Sequence, residues 1–230
     1  NIATITANMN FYNGLYTYDL DNQLIAADAN DMPTVSEDGT VYTIKLKEAA
    51  TWSNGNPVTA NDYVYAWQRM VDPDLGAPYA YMFDGTINNA TEIMAGELDT
   101  SELGVRAVDD KTLEITLENP TAYFTDLLTV PAYYPQNQEV VEAAGDQYGS
   151  TSDSAIYNGP FVLKEWDAAT GNTWIFAKND HYWDADNVNL DAVNFQYLPE
   201  TATALNLYDS GQLDVIELTG NFVVQNQNNE

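Results

Sequence analysis

The run Trp52–Arg69, WSNGNPVTANDYVYAWQR, decides how the chain is read. Asn54-Gly55 supplies a residue that tolerates positive φ, and so marks a turn. Asn56-Pro57 pushes the following backbone into an extended segment. Thr59 is then a good N-cap, and Asp62, three residues on, sits where the helix dipole favours an acid. Val58 before the cap and Tyr63 after it are spaced for a hydrophobic staple. Ala60, Val64, Trp67 and Val71 recur at helical spacing and form one face, and Asp72-Pro73 stops the helix. The run is a turn feeding a capped amphipathic helix in a core. It contains no nucleophile paired with a base.

Working outward, Glu37-Asp38-Gly39 is a hairpin signal. Beyond it Tyr42, Ile44 and Leu46 alternate with Val41, Thr43, Lys45 and Lys47, as a strand half exposed to water requires. Upstream, a short helix is expected to end at Gly14 as its C-cap, followed by a strand over residues 15–20. Downstream, residues 75–83 form an aromatic-rich loop, and Ala90–Ala95 a short helix closed by Gly96. Strands over 105–108 and 112–118 flank the turn Asp109-Asp110-Lys111. Asn119 caps a helix with Pro120 at its first position and Tyr123, Phe124, Leu127 and Leu128 on its buried face. Pro131–Pro135 is an extended crossing. Gln138–Ala144 is a helix closed by Gly145, and strands over 161–166 and 173–178 flank a hairpin loop at 168–172. A further strand runs over 193–198. Thr201 caps a helix over 202–209, a last strand begins at Leu213, and the Asn- and Gln-rich end from Asn221 frays.

Composition narrows the function classes. Seven basic residues against 35 acidic ones give a net charge of −28. That excludes nucleic acid and anionic lipid surfaces as partners, because both need positive charge. With no cysteine there is neither a disulfide framework nor a thiolate nucleophile. The lone histidine, His181, cannot build a typical zinc site in a chain without cysteine. It belongs to a surface turn beside Asn179-Asp180. There is no G-x-S-x-G elbow, no G-x-G-x-x-G and no phosphate loop. Scattered acids are most simply a solvated face, and nothing singles out a glycosidase-type pair. The chain therefore reads as a binding protein and not an enzyme. Neither cofactor nor metal is implied. No apolar run approaches the ~20 residues that span a bilayer.

Several blocks carry a resemblance. They are Asn13-Gly14-Leu15-Tyr16, then Ser36–Lys47 (SEDGTVYTIKLK), then the opening run. After these come Asn158-Gly159-Pro160 through Lys178-Asn179-Asp180-His181-Tyr182-Trp183, and Ser210-Gly211-Gln212-Leu213-Asp214-Val215. In this order they resemble the family 5 extracellular solute-binding proteins, the oligopeptide-binding components of ABC importers. The resemblance implies a mixed α/β (α+β) fold: a type II periplasmic-binding-protein-like lobe with an inserted β-rich α+β domain. Carried over, residues 1–12 and 137–230 form a discontinuous, incomplete first lobe and 13–136 the insert. The second lobe, and the strand that opens the first, lie outside the chain, which begins mid-sequence. Alone, such a piece is expected to bind peptide weakly or not at all, since a pocket needs two walls.

The resemblance further implies capture of oligopeptides between two lobes closing about a hinge, and delivery to permease subunits. The setting is the extracellular face of a membrane, reached through a lipid on an upstream residue (a Gram-positive arrangement), or the periplasm. Positions matching family ligand contacts are Ile2, Tyr79, Val130 and Leu218 or Thr219. Backbone pairing explains how one receptor accepts many peptides. Within the same fold the ligand could be a signalling peptide, a nickel chelate or an oligosaccharide. Outside it, an adhesion module would show a convex aromatic patch, and a two-carboxylate hydrolase a paired acid in a cleft. The receptor reading expects Tyr79, Tyr133 and Tyr134 along a concave edge.

Overall fold

The computed structural model describes residues 10–166 and 172–226. Among these residues the strands form three antiparallel sheets. β1 (Tyr16–Tyr18) pairs with β2 (Leu24–Ala26). β3 (Thr34–Val35), β4 (Val41–Lys45), β5 (Val105–Asp109) and β6 (Thr112–Thr116) make a second sheet in the order β3-β4-β6-β5. The third is β7 (Phe161–Trp166), β8 (Thr173–Lys178) and β9 (Ala192–Gln196), in chain order.

The alternation read from the sequence sets the register of the second sheet. Tyr42 lies opposite Ile115 and Ile44 opposite Leu113. All four are buried, so one face of the β4–β6 ladder is continuously apolar. Helix α1 (Ala60–Val71) covers this sheet. Its start is a capping box: Asp62 Oδ2 accepts from the Thr59 backbone N–H at 2.7 Å, and the Thr59 side chain faces the N3 amide. The staple pair, Val58 and Tyr63, is fully buried. The buried face is centred on Tyr63, Ala66 and Trp67, with Val64 at its margin. Asp62 is buried too, because Trp52 Nε1 (3.4 Å) and Asn137 Nδ2 (3.3 Å) also donate to its carboxylate.

Two hydrophobic cores result. One is built from residues 15–133 around Trp52, Trp67, Phe83 and Tyr133. The other packs Phe11 against Tyr157, Phe161 and Phe176 on the third sheet, with the Phe11 and Phe176 rings edge to face at 4.4 Å.

Four shorter helices follow α1: α2 (Ala90–Met94), α3 (Phe124–Leu127), α4 (Gln138–Ala144) and α5 (Thr201–Asp209). Helix α6 (Asn221–Asn226) opens the Asn- and Gln-rich end, of which residues 227–230 lie outside the described residues.

Other expectations shift. Helical geometry ends at Phe11, and Gly14 is not left-handed. Gly14 is instead a point of close approach: a Cβ there would lie 2.5 Å from the Tyr134 ring and 2.8 Å from the Leu128 carbonyl. Asn119 does not cap α3. Its carbonyl accepts from Thr121 Oγ1, and the helix starts at Phe124 with Tyr123 exposed. Pro131–Tyr133 is a 3₁₀ turn and not extended. α5 begins at Thr201 itself, with Glu200 at the cap. β9 spans Ala192–Gln196, a residue or two before its expected place. Residues 213–219 form no strand, since no described strand lies alongside to pair with them. The hairpin loop expected at 168–172 falls, apart from Asn172, outside the described residues.

Candidate functional site

Two 3₁₀ turns carry two of the sequence-predicted contacts. Tyr79 caps Ala80–Met82, and Val130 caps Pro131–Tyr133. Tyr133 joins the turns. Its hydroxyl donates to the Met82 carbonyl at 2.7 Å, and its ring stacks on Phe83 at 4.4 Å. Trp67 Nε1 of α1 donates to the Tyr133 carbonyl at 3.0 Å. Tyr133 is therefore fully buried and serves as an anchor, not as part of an open edge. Burial holds its hydroxyl far above the ordinary phenol range. Tyr134 is half-buried, donates to the Thr129 carbonyl, and has its hydroxyl pushed up to about 12 by desolvation. Tyr79 alone of the three is open, 44% exposed, with its ring 6.3 Å from that of Tyr81. It offers an apolar face and a hydroxyl on a turn held rigidly from behind. Val130 is half-buried on the same core.

The other predicted contacts lie elsewhere. Leu218 lines a cavity of about 250 Å³ between α5 and α6, with Leu205, Tyr208 and Val215. Thr219 Oγ1 is 3.1 Å from Thr201 Oγ1. Leu218 and Thr219 stand between α5 and α6, on other elements than the 3₁₀ turns of Tyr79 and Val130. Ile2 lies outside the described residues.

The sequence reading missed a buried polar cluster between the two cores. Asp28 is fully buried, and its Oδ2 accepts from Asn158 Nδ2 at 2.7 Å and from the Tyr63 hydroxyl at 3.2 Å. Burial pushes its carboxyl up to about 7, against the opposing effects of Asn158, Tyr63, Asn13 and the Lys47 charge. A signal was present: an aspartate inside the run Leu24-Ile25-Ala26-Ala27-Asp28-Ala29 has apolar neighbours on both sides. Asp28 and Asp62 are both fully occupied by hydrogen bonds within the fold, so neither stands as half of an open acid pair. His181 packs its ring against Gly55, and its carbonyl accepts from Thr51 Oγ1. Among the described residues no group of three His, Asp or Glu is placed to hold a metal ion, and no helix is long and apolar enough to cross a membrane.

Comparison with known proteins places this geometry. Residues 23–230 match the family described as bacterial extracellular solute-binding proteins, family 5 Middle. A dipeptide-binding protein of Lactococcus lactis subsp. cremoris is 42% identical over 183 residues, covering 78% of this chain and 33% of that protein. The structure of Listeria monocytogenes OppA bound to peptide superposes with a TM-score of 0.94 at 45% identity, over 100% of this chain and 45% of that one. The pheromone receptor PrgZ superposes with a TM-score of 0.94 at 40% identity, again over 100% of this chain and 45% of the other. The chain thus spans a third to under a half of the length of these relatives, and its fold is that of the periplasmic-binding-protein-like peptide receptors. On sequence and on fold, the chain belongs to the bacterial extracellular solute-binding proteins, family 5.

Proposed function

We propose that this chain is part of the ligand-capturing component of an ABC peptide importer, which holds oligopeptides between two lobes and passes them to permease subunits. The observation that carries the reading is the match along the whole chain to an OppA bound to peptide. In this reading residues 1–12 and 137–230 belong to the first lobe and 13–136 to an inserted domain. The separation of the two hydrophobic cores supports that division. Tyr79 and Val130 present the insert's contacts, and Leu218 and Thr219, with Ile2, those of the lobe. The protein binds without catalysing and works outside the cell membrane, held there by a lipid or confined to a periplasm.

Backbone pairing with the ligand, with side chains left in hydrated space, gives promiscuity. Calorimetric titration of the two-lobed protein with peptides of unrelated side chains, two to six residues long, tests this. Saturable binding across the set supports the reading. Heat only from a sugar or a metal chelate overturns the peptide assignment.

A further inference from the structure

We propose that Asp28 is a positioning residue: the buried cluster Asp28, Asn13, Asn158 and Tyr63 locks the core of residues 15–133 to the core around Phe11 and Phe176, and fixes the angle between them. The lock stands on the observed cores. Its consequence for capture, setting Tyr79 and Val130 against Leu218 and Thr219, rests on the function proposed above.

The chain passes from one core to the other at Asn13-Gly14, between Phe11 of the second and Leu15 of the first. Asn158 enters from the second core's side, between Tyr157 and Phe161. Its amide is fully used. Oδ1 accepts from the Asn13 N–H at 3.2 Å, and Nδ2 donates to the Asn13 carbonyl at 3.0 Å as well as to Asp28. One side chain therefore grips both main-chain groups of Asn13 and the carboxyl group of Asp28.

Asp28 is gripped in turn. Its N–H donates to the Gly14 carbonyl at 3.1 Å, its carbonyl accepts from the Lys47 N–H at 2.8 Å, and Tyr63 reaches it from α1. Asn13 Nδ2 lies 3.5 Å from Asp28 Oδ1 and 3.1 Å from the Tyr182 hydroxyl. The next residue, Gly159, donates to the Phe11 carbonyl at 2.8 Å, and a Cβ there would meet Phe11 carbon at 2.6 Å. The opening run adds a second tie, from the Ser53 N–H to the Tyr157 carbonyl at 2.6 Å.

An apolar contact of the same size would let two cores slide over one another, because dispersion and burial are non-directional. A carboxylate with directed donors from three parts of the chain does not permit this. Replacing buried hydrogen-bonded partners by apolar groups of the same shape often leaves stability nearly unchanged or raises it. Stability alone therefore does not account for the cluster; a fixed orientation does.

The chain has no cysteine, so labels can be placed without background. Spin labels at Glu37→Cys in the β3–β4 hairpin and Thr173→Cys on β8 read the distance between the cores by pulsed electron resonance. The otherwise native chain should give one narrow distance. Asp28→Ala and, if that variant does not fold, Asn158→Leu should broaden it, and β8 amides should exchange about tenfold faster than those of β4. Asp28→Asn, which keeps an acceptor for Asn158 and Tyr63, should keep the distance narrow. An unchanged distance in the folded alanine or leucine variant, with both cores exchanging alike, would overturn the lock. The measurement uses no ligand, so the lock can fail while peptide capture stands, and the reverse.

Discussion

Asp28→Asn should remove a defined part of the protein's pH dependence. In the unfolded chain this carboxyl ionises at its ordinary value of 3.8, whereas in the folded protein burial keeps it neutral up to about 7. Below the lower value both states hold the proton, and the contribution to stability is fully present. Between the two values only the folded state still holds it, so stability falls as pH rises and the loss is complete above about 7. At about 1.36 kcal/mol per pH unit, the interval amounts to about 4 kcal/mol. Asparagine has nearly the same shape and no proton to lose. The groups facing Asp28 are Lys47, Tyr63, Tyr134 and Tyr182. The three tyrosines have their hydroxyls raised by burial and stay neutral through this window. The assay is urea unfolding by tryptophan fluorescence from pH 4 to 8 for both proteins. Subtracting the two curves cancels the many surface carboxylates. Wild type should lose about 4 kcal/mol relative to the variant between pH 4 and pH 7.5. Curves that run parallel to within about 0.5 kcal/mol, or that diverge in the opposite sense, would show that burial does not hold the proton on Asp28.

Further expectations concern packing and charge. Trp67→Ala should cost about 3–5 kcal/mol in the same urea assay, since it opens a cavity between Phe83 and Tyr133 and strips the Tyr133 carbonyl of its donor; a loss under about 1.5 kcal/mol would mean that α1 does not anchor the two 3₁₀ turns. Gly159→Ala should cost about 1–3 kcal/mol, because the added methyl meets backbone at Phe11 and Tyr12; an unchanged midpoint would mean the approach is not tight. Thermal midpoints should rise with added sodium chloride: net charge is −28, the described residues show one ion pair, Arg106–Glu114, and Lys47, Lys111 and Lys178 are turned to backbone carbonyls. A midpoint that falls with salt would show self-repulsion to be unimportant.

Local elements were legible where local chemistry decides them. Thr59 and Asp62 announced the start of α1, Asp72-Pro73 its end, and the Tyr42-Ile44-Leu46 alternation the buried face of β4. Elements failed where tertiary contacts override propensity. Asn119-Pro120 has the form of a helix start, yet the helix waits until Phe124 can enter the core. Leu213 opens a strand-like run, but a ladder needs a partner strand.

The aromatics divide in a way composition cannot reveal. Tyr133 and Tyr79 look alike as residues, but one carries the Trp67–Phe83 packing and the other faces solvent. The apolar run around Asp28 hints at its burial, but what it meets there was illegible for a related reason. Its partners, Asn13, Tyr63 and Asn158, stand 15, 35 and 130 positions away in the chain. No local pattern encodes such a meeting.

The proposed receipt of peptides is open to native mass spectrometry of the protein purified without denaturation from the cells that make it. A ladder of added masses that fragment to peptides of mixed sequence is the expected result. A single added mass that fragments as a sugar, a lipid or a metal chelate would contradict it.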